Sequence, residues 1–212
     1  MYLHKIYLNL KCKEARRDLA DPYEMHSTLC RAFSEPGIKC PPGVLFWRLE
    51  PERNRAGMPA AIVQSRVIPD WRRINPNEWF WEQPLPPISI DDKITPYIRI
   101  GNKFRYRLRA NSSVKKNGKR FGLYDMDSQI TWFQRQGEKC GFKALTIHRS
   151  DEKMLTGQKH NECSICIFSV LYDGILEVTD NLLFKRTIDT GIGHGKAMGL
   201  GLLSVIPLQE VC

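Results

Sequence analysis

Apolar and polar residues alternate along several segments of the first part of the chain, and this period of two predicts β-strands. The segments are residues 3–10, 44–49 and 61–68, followed by a short strand near Ile88. A helix is predicted between the first two strands, with Asp21 as its N-cap and Pro22 at its first position. One stripe of apolar residues gives that helix a buried face: Met25, Leu29, Ala32 and Phe33. The predicted order is β-α-β-β, then an irregular stretch and a final strand.

The second part of the chain is predicted to repeat this order of elements. A long strand covers residues 97–110, bent at Gly101, and a helix covers residues 128–136 and ends near Gly137. The remaining elements are strands at 142–147 and 165–178, a helix at 180–188 and a last strand at 200–206. The predicted fold class is therefore α+β, with tandem ferredoxin-like (β-α-β-β-α-β) domains and antiparallel sheets. The domains are expected at residues 1–92 and 93–212.

Composition narrows the class of protein. The 212 residues are 42% hydrophobic and 26% charged, as is typical of a globular protein that buries a sound core. No apolar run approaches the roughly 20 residues of a membrane helix, and residues 1–6 lack the apolar region of a signal peptide. A cytoplasmic protein without a membrane partner is expected. The chain has seven cysteines, an odd number that favours reduced thiols, and Cys163 and Cys166 are expected to be buried structural thiols.

The charge of the chain is distributed unevenly. The formal net charge is +9. Residues 1–92 carry 13 Lys and Arg against 12 Asp and Glu, whereas residues 93–212 carry 19 against 11. A basic second half joined to a nearly neutral first half favours a polyanionic partner for the second half. Solubility alone would not explain this asymmetry.

Five glycines fall within residues 191–201, a run that also contains Lys196. Thr190 and Ala197 stand where a Walker A loop needs glycine and Ser or Thr, and no register fits the dinucleotide-binding fingerprint. Both of those loops lead from a strand into a helix, whereas this run follows a predicted helix and enters a strand. A nucleotide cofactor is therefore not expected, and the run is interpreted as a phosphate-accepting loop of another kind.

The predicted helix after Asp21 carries the candidate catalytic residues. At 100° per residue, Tyr23 and His26 lie about 60° apart at the edge of the apolar stripe. A histidine changes protonation near neutral pH and can act as a general acid or base, with the tyrosine as a hydrogen-bonding neighbour. A satisfied histidine at the boundary of the core is the alternative, and the pattern of residues leaves both open.

Two basic segments are candidates for binding nucleic acid. Alternation along residues 104–110 places Arg105, Arg107 and Arg109 on one strand face, about 6.6 Å apart from twice the strand rise. Three arginines without an acid favour phosphate contacts over a solvated face. The turn that follows carries four cations: Lys115, Lys116, Lys119 and Arg120. These suit contacts with a nucleic-acid backbone and equally a disordered surface loop.

Taken together, these segments resemble the CasE family of CRISPR repeat-RNA endoribonucleases. The resemblance rests on DPYEMH (21–26), FRYRLRAN (104–111), QITWFQRQGEKCGF (129–142) and GIGHGKAMGLGLLSVIP (191–207). It implies cleavage of precursor CRISPR RNA at repeat hairpins by an enzyme that keeps its product as a subunit of the Cascade interference complex. It also implies that His26 is catalytic with Tyr23 beside it, and that RNA is bound by the arginine strand and three residues of the glycine run: Gly193, Lys196 and Gly199.

The residue types agree with chemistry that needs no metal. The sequence contains no H-E-x-x-H motif, no EF-hand loop and no convincing acidic cluster, so no metal or other cofactor is expected. RNA carries its own nucleophile, the 2′-hydroxyl, and cleavage would leave a 2′,3′-cyclic phosphate and a 5′-hydroxyl. A non-catalytic RNA-binding scaffold of the same fold is the alternative. Three tryptophans are expected to be exposed and to be candidates for contact with other subunits: Trp71, Trp79 and Trp81.

Overall fold

The computed structural model describes residues 1–75, 77–158 and 164–208, and the chain divides into two compact units. The first unit consists of Met1–Ile90, Leu155–Cys166 and Lys196–Gly199. The second consists of Asp91–Met154, Ile167–Gly195 and Leu200–Cys212. Each unit is therefore built from three separate stretches of sequence. The division into domains 1–92 and 93–212 stays a prediction.

The first unit contains a four-stranded antiparallel sheet. Its elements are β1 (Tyr2–Tyr7), α1 (Lys13–Ala20), α2 (Pro22–Arg31), β2 (Leu45–Arg53), β3 (Pro59–Ser65), a 3₁₀ turn (Trp71–Arg73) and β4 (Ile88–Ser89). The strand order is β2-β3-β1-β4, and all three neighbouring pairs are antiparallel. This is the strand order of a ferredoxin-like unit. Between β3 and β4 the described residues form a 3₁₀ turn where that unit has its second helix.

Helix α1 has no counterpart among the predicted elements, because its buried surface is partly polar. Asp18 of α1 is completely buried and accepts a 2.8 Å hydrogen bond from Nε1 of Trp79. Because one of the inward positions of α1 is a carboxylate, its sequence lacks the apolar periodicity that predicts a helix. The expectation that Trp79 is exposed was wrong, since its ring belongs to the core that contains Met25 and Leu29. The expectation was also wrong for Trp71, which is half-buried and packs against the same core, whereas Trp81 is 39% exposed.

The second unit contains the full sequence of ferredoxin-like elements and an added hairpin. Its elements, some of which extend beyond it, are α3 (Ile90–Lys93), a 3₁₀ turn (Thr95–Tyr97), β5 (Lys103–Ala110), β6 (Ser113–Lys116), β7 (Lys119–Gly122), α4 (Met126–Cys140), β8 (Phe142–Gln158), β9 (Ser164–Val178), α5 (Asn181–Thr190) and β10 (Leu203–Pro207). The sheet order is β10-β5-β9-β8, and β5 pairs antiparallel with both of its neighbours. The predicted α+β fold class with antiparallel sheets is confirmed.

Helix α4 is longer than predicted, because Gly137 packs inside it and does not end it. A Cβ atom at Gly137 would lie 2.6 Å from the carbonyl oxygen of Phe142, so only glycine permits this close approach. The helix continues to Cys140 and is followed by Gly141 as its C-cap. Among the described residues no helix is both long and apolar enough to cross a membrane.

Candidate functional site

The N-terminus of α2 is fixed by both oxygens of one carboxylate. Oδ1 of Asp21 accepts a 2.8 Å hydrogen bond from the backbone N–H of Tyr23, as predicted for the N-cap. Oδ2 of the same side chain accepts a 3.0 Å hydrogen bond from the backbone N–H of Gln158, the last residue of β8. Asp21 therefore caps the start of α2 and links it by a hydrogen bond to the end of β8, which is distant in sequence.

His26 lies one helical turn after Tyr23 and is half-buried. Burial lowers the pKa of His26 below its ordinary value, so the neutral imidazole dominates at neutral pH. Nδ1 is enclosed without a hydrogen-bond partner, and Nε2 lies 3.7 Å from Sγ of Cys30. Burial raises the pKa of Cys30 to about 12, so this thiol stays protonated and adds no charge beside the imidazole. A neutral imidazole in this position can accept a proton.

A cavity of about 230 Å³ opens beside His26 within the first unit. It is lined by His26, Cys30, Lys39, Cys40, Pro41, Pro42, Gly43 and Leu45. Lys39 supplies a cationic side chain to this lining. The sequence contained no signal for Lys39, because it lies in a loop whose return to α2 has no local pattern.

The middle of the glycine run belongs to the same unit as α2. Residues Lys196–Met198 form a 3₁₀ turn that packs against α2. Nζ of Lys196 lies 5.2 Å from the ring centroid of Phe46, and burial lowers the pKa of this lysine. Lys196 and His26 therefore belong to one unit, because the turn that carries Lys196 packs against the helix that carries His26.

Gly199 ends this turn in a conformation that requires glycine. Its φ is +74°, and a Cβ atom there would lie 2.9 Å from the indole ring of Trp47. Gly193, in the second unit, also has positive φ, but a Cβ atom there would lie 3.7 Å from Trp132, an ordinary contact distance. The structure gives Gly199 a packing role, and RNA contact by either glycine stays a prediction.

The three arginines of β5 share a strand face but differ in their surroundings. Arg105 is exposed. Arg107 donates a 2.7 Å hydrogen bond from Nε to Oδ1 of Asp173. Arg109 is only 3% exposed, forms an ion pair with Asp151, and donates from Nη1 to the Asp151 carbonyl oxygen at 3.0 Å.

Arg109 is thus a buried cation paired with a carboxylate that is partly exposed. Burial by itself would raise the pKa of Asp151, but the charge of Arg109 lowers it below its usual range. Removal of Asp151 would leave the buried guanidinium of Arg109 without its opposite charge. The alternation rule placed Arg109 on the correct face but could not show that Asp151 and Ser169 contact it there. Its contact with RNA stays a prediction.

The basic turn after β5 is an ordered hairpin in the structure. Strands β6 and β7 pair antiparallel around Asn117 and Gly118, both of which have positive φ. The four predicted cations are exposed on this hairpin: Lys115, Lys116, Lys119 and Arg120. Nη1 of Arg120 donates to Oγ of Ser113 at 3.2 Å.

The cysteine prediction fails at one of its two positions. Cys166 is exposed and lies 3.8 Å, sulfur to oxygen, from Oγ1 of Thr156, whereas Cys163 lies outside the described residues. Strand β9 begins at Ser164, and Cys166 occupies one of its solvent-facing positions. No group of three His, Cys, Asp or Glu side chains that could hold a metal ion occurs in the described part of the chain.

Comparison with known proteins places the chain in a family. The family described as CRISPR associated protein matches residues 1–207, and the chain therefore belongs to the CRISPR-associated protein family. It is 35% identical to the CRISPR-associated endoribonuclease Cse3 of Thermus thermophilus, over 98% of this chain and 100% of that protein. It is 30% identical to the Cascade subunit CasE of Escherichia coli over 52% of this chain and 61% of that protein. The predicted resemblance is confirmed.

A solved structure agrees with the sequence comparison. Thermus thermophilus Cse3 bound to an RNA representing a pre-cleavage complex has a TM-score of 0.83 to this chain. The identity is 35%, with coverage of 97% of this chain and 98% of that chain. The two proteins share their fold over nearly the whole length of each chain.

Proposed function

We propose that the chain is an endoribonuclease that cleaves CRISPR repeat hairpins in precursor RNA and stays bound to the product as a Cascade subunit. The Thermus relative is named an endoribonuclease and has been solved with a pre-cleavage RNA, and the Escherichia coli relative is named a Cascade subunit. The observation that carries the proposal is the neutral, half-buried His26 beside Tyr23 on α2, packed against the turn that holds Lys196. Such an enzyme would act in the cytoplasm, where precursor RNA is made.

His26 can serve as the general base in this reaction. The imidazole takes the proton from the 2′-hydroxyl of the nucleotide before the scissile bond, and the 2′-oxygen attacks the adjacent phosphorus. The bond from phosphorus to the 5′-oxygen breaks, and that oxygen takes a proton from water to leave as a 5′-hydroxyl, while His26 returns its proton to the solvent. The other product ends in a 2′,3′-cyclic phosphate. Because the nucleophile belongs to the substrate, the protein has only to activate it, align it and stabilise charge.

Tyr23 and Lys196 have supporting roles in the proposal. The phenol of Tyr23 is one turn from His26 and can donate a hydrogen bond to a phosphate oxygen. Lys196 supplies positive charge from the turn packed on the same helix. Partial burial lowers the pKa of Lys196. In such a partly buried position, a cation interacts more strongly with a phosphate than it does in water.

Binding of the hairpin is assigned to the second unit and the glycine run. Arg105 and the β6–β7 hairpin present exposed cations, whereas Arg107 and Arg109 are already paired with carboxylates. A-form RNA is recognised largely by shape and backbone, which suits cations that contact phosphates without reading bases. The proposed RNA-contacting residues are Arg105, Arg107, Arg109, Lys115, Lys116, Lys119, Arg120, Gly193, Lys196 and Gly199.

The test is cleavage of repeat RNA by the purified chain in excess EDTA, with the ends of the products mapped. A single cut that leaves a cyclic phosphate is expected. His26→Ala should lower the single-turnover rate by about 100- to 10,000-fold, the usual contribution of a general base. It should change hairpin affinity by less than about threefold, because the base does not hold the stem.

His148→Ala is the matched control, because His148 is an exposed histidine of β8. It should cleave at the wild-type rate. Binding without any cut by the wild-type chain would support the non-catalytic scaffold instead. Undiminished cleavage by His26→Ala would overturn the catalytic assignment.

A further inference from the structure

Two cysteines, Cys30 and Cys40, line the cavity of about 230 Å³ beside His26. Cys30 lies on α2 one helical turn after His26, and its Sγ is 3.7 Å from Nε2 of the imidazole. Cys40 lies in the irregular segment between α2 and β2. Both residues are half-buried and carry free thiols. In the proposed reaction neither thiol gives or takes a proton, so the pair has no assigned role.

The thiols of Cys30 and Cys40 contact each other directly. They share a hydrogen bond, and the Cys40 thiol also donates to the carbonyl oxygen of Pro41 at 3.8 Å. A disulfide requires two sulfur atoms that can approach to about 2.05 Å. In a hydrogen-bonded pair of thiols, the two side chains are already directed at each other. The pair therefore needs only a short approach to become a covalent link.

The two cysteines differ in how freely they can make this approach. Cys30 is carried by α2, and its neighbour Leu29 is completely buried in the core of the first unit. Cys40 is followed by a turn that contains Gly43, where an added Cβ atom would meet nothing within 4 Å. The turn is therefore open on that side. Cys40 makes the approach, and its segment is drawn toward α2 across the cavity.

We propose that Cys30 and Cys40 form a reversible disulfide by exchange with a low-molecular-weight disulfide, and that this bond slows RNA cleavage. The effect on cleavage rests on the proposed function, whereas formation of the bond does not. Cys40 attacks one sulfur of the small disulfide RSSR, and RSH leaves as a mixed disulfide forms on Cys40. Cys30 then attacks Sγ of Cys40, and the second RSH leaves. The protein loses two electrons and two protons, and RSSR takes up both.

Burial controls the rate of this exchange. It raises the pKa of Cys30 to about 12 and also raises the pKa of Cys40, although the hydrogen bond with Cys30 offsets part of the effect on Cys40. Only a thiolate attacks a disulfide, so the exchange is slow near neutral pH. The pair therefore responds to sustained exposure to an oxidant and not to a brief one.

The disulfide changes the surroundings of His26 in two ways. Sγ of Cys30 loses its hydrogen and moves toward Cys40, which alters its contact with Nε2 of the imidazole. The segment that carries Cys40 moves toward α2 and narrows the cavity. A displacement of about 1 Å in an active site can lower a rate by about 100-fold. We expect the oxidised chain to cleave about 10- to 100-fold more slowly than the reduced chain.

The experiment incubates the full chain with oxidised glutathione and divides the sample. One portion is desalted and assayed for single-turnover cleavage of the repeat hairpin. The other is treated with N-ethylmaleimide, digested with trypsin and mapped by mass spectrometry. Trypsin places Cys30 in peptide 18–31 and Cys40 in peptide 40–48, so the disulfide appears as one linked pair of peptides. Linkage and loss of cleavage should rise together, and dithiothreitol should reverse both.

Two serine variants serve as controls, and each is compared with its own reduced form. Cys40→Ser cannot form the bond and should keep its reduced cleavage rate in oxidised glutathione. Cys166→Ser removes an exposed thiol of β9 that does not line the cavity. It should form the linked peptides and lose cleavage as wild type does. The pair of variants separates the disulfide from modification of another cysteine.

Three results would count against the inference, and they are distinguishable. If Cys166 becomes modified by glutathione while no linked peptides appear, the oxidant was effective and the bond does not form. If a completely linked chain cleaves at the reduced rate, the bond does not affect catalysis. If the reduced wild-type chain cleaves no repeat RNA, the proposed function fails together with the effect on cleavage, and the peptide map still decides whether the bond forms.

Discussion

Replacing Gly199 with alanine is expected to destabilise the first unit strongly, through a clash that can be isolated with a matched control. Both Gly199 and Gly43 belong to this unit and have φ of +74°. A Cβ atom at Gly199 would lie 2.9 Å from the Trp47 ring, whereas a Cβ atom at Gly43 would meet nothing within 4 Å. The two substitutions therefore impose the same backbone strain and differ in packing.

The magnitude follows from these two contributions. A left-handed conformation costs a non-glycine residue about 1–2 kcal/mol. Overpacking against the completely enclosed Trp47 ring adds about 1–3 kcal/mol. Gly43→Ala should therefore lose about 1–2 kcal/mol and Gly199→Ala about 2–5 kcal/mol of unfolding free energy. With a urea slope of about 2–3 kcal/mol per molar, the midpoints of the two variants should differ by about 1 M.

Equilibrium urea unfolding, followed by tryptophan fluorescence, measures both variants. A third variant sharpens the test: Trp47→Leu in the Gly199→Ala background should cost less than the sum of the two single changes, because the clash is gone. Equal losses for Gly199→Ala and Gly43→Ala would refute the packing argument and leave backbone strain as the sole cause.

Two further predictions concern the carboxylate at the start of α2 and a buried histidine. Asp21→Asn keeps an oxygen that can accept from the Tyr23 N–H but loses the oxygen that accepts from the Gln158 N–H. It should therefore lower the single-turnover cleavage rate. In the same urea titration, it should lose less unfolding free energy than Asp21→Ala, which loses both acceptors. His4 is buried edge-on to Trp71, and burial lowers its pKa to about 4 from an unfolded value near 6.5. Below pH 6.5 the unfolded chain therefore binds more protons at His4 than the folded chain does, and the free energy of unfolding decreases as the pH falls toward 4. His4 should account for a decrease of about 2 kcal/mol between pH 7 and pH 5. His4→Leu should remove that part of the pH dependence. If the urea midpoint of His4→Leu decreased from pH 7 to pH 5 as steeply as that of wild type, His4 would not be the cause.

Elements with strong local signals could be predicted from the sequence. Asp21, Pro22 and the apolar stripe located α2 to within one residue of its observed start. The alternation along β5 correctly placed Arg105, Arg107 and Arg109 on one face, opposite the buried side chains of Phe104, Tyr106 and Leu108. In these cases the residues that decide the structure are neighbours along the chain.

Features that depend on distant partners could not be predicted. Trp79 appeared exposed within a proline-rich stretch, yet its indole N–H meets a carboxylate 61 residues away. Arg109 lies on the same strand face as Arg105 in the sequence pattern, but only Arg109 forms an ion pair with Asp151 of β8. Each of these required knowledge of which non-local group completes the contact.

Helix α2, which carries His26, depends on residues that lie much later in the chain. The turn that packs on α2 is formed by Lys196–Met198. The backbone N–H that meets Asp21 comes from Gln158. During translation, His26 therefore leaves the ribosome well before its supports, and the first unit can be completed only after Gly199 has also emerged. Products truncated before Lys196 would therefore carry His26 without its assembled surroundings.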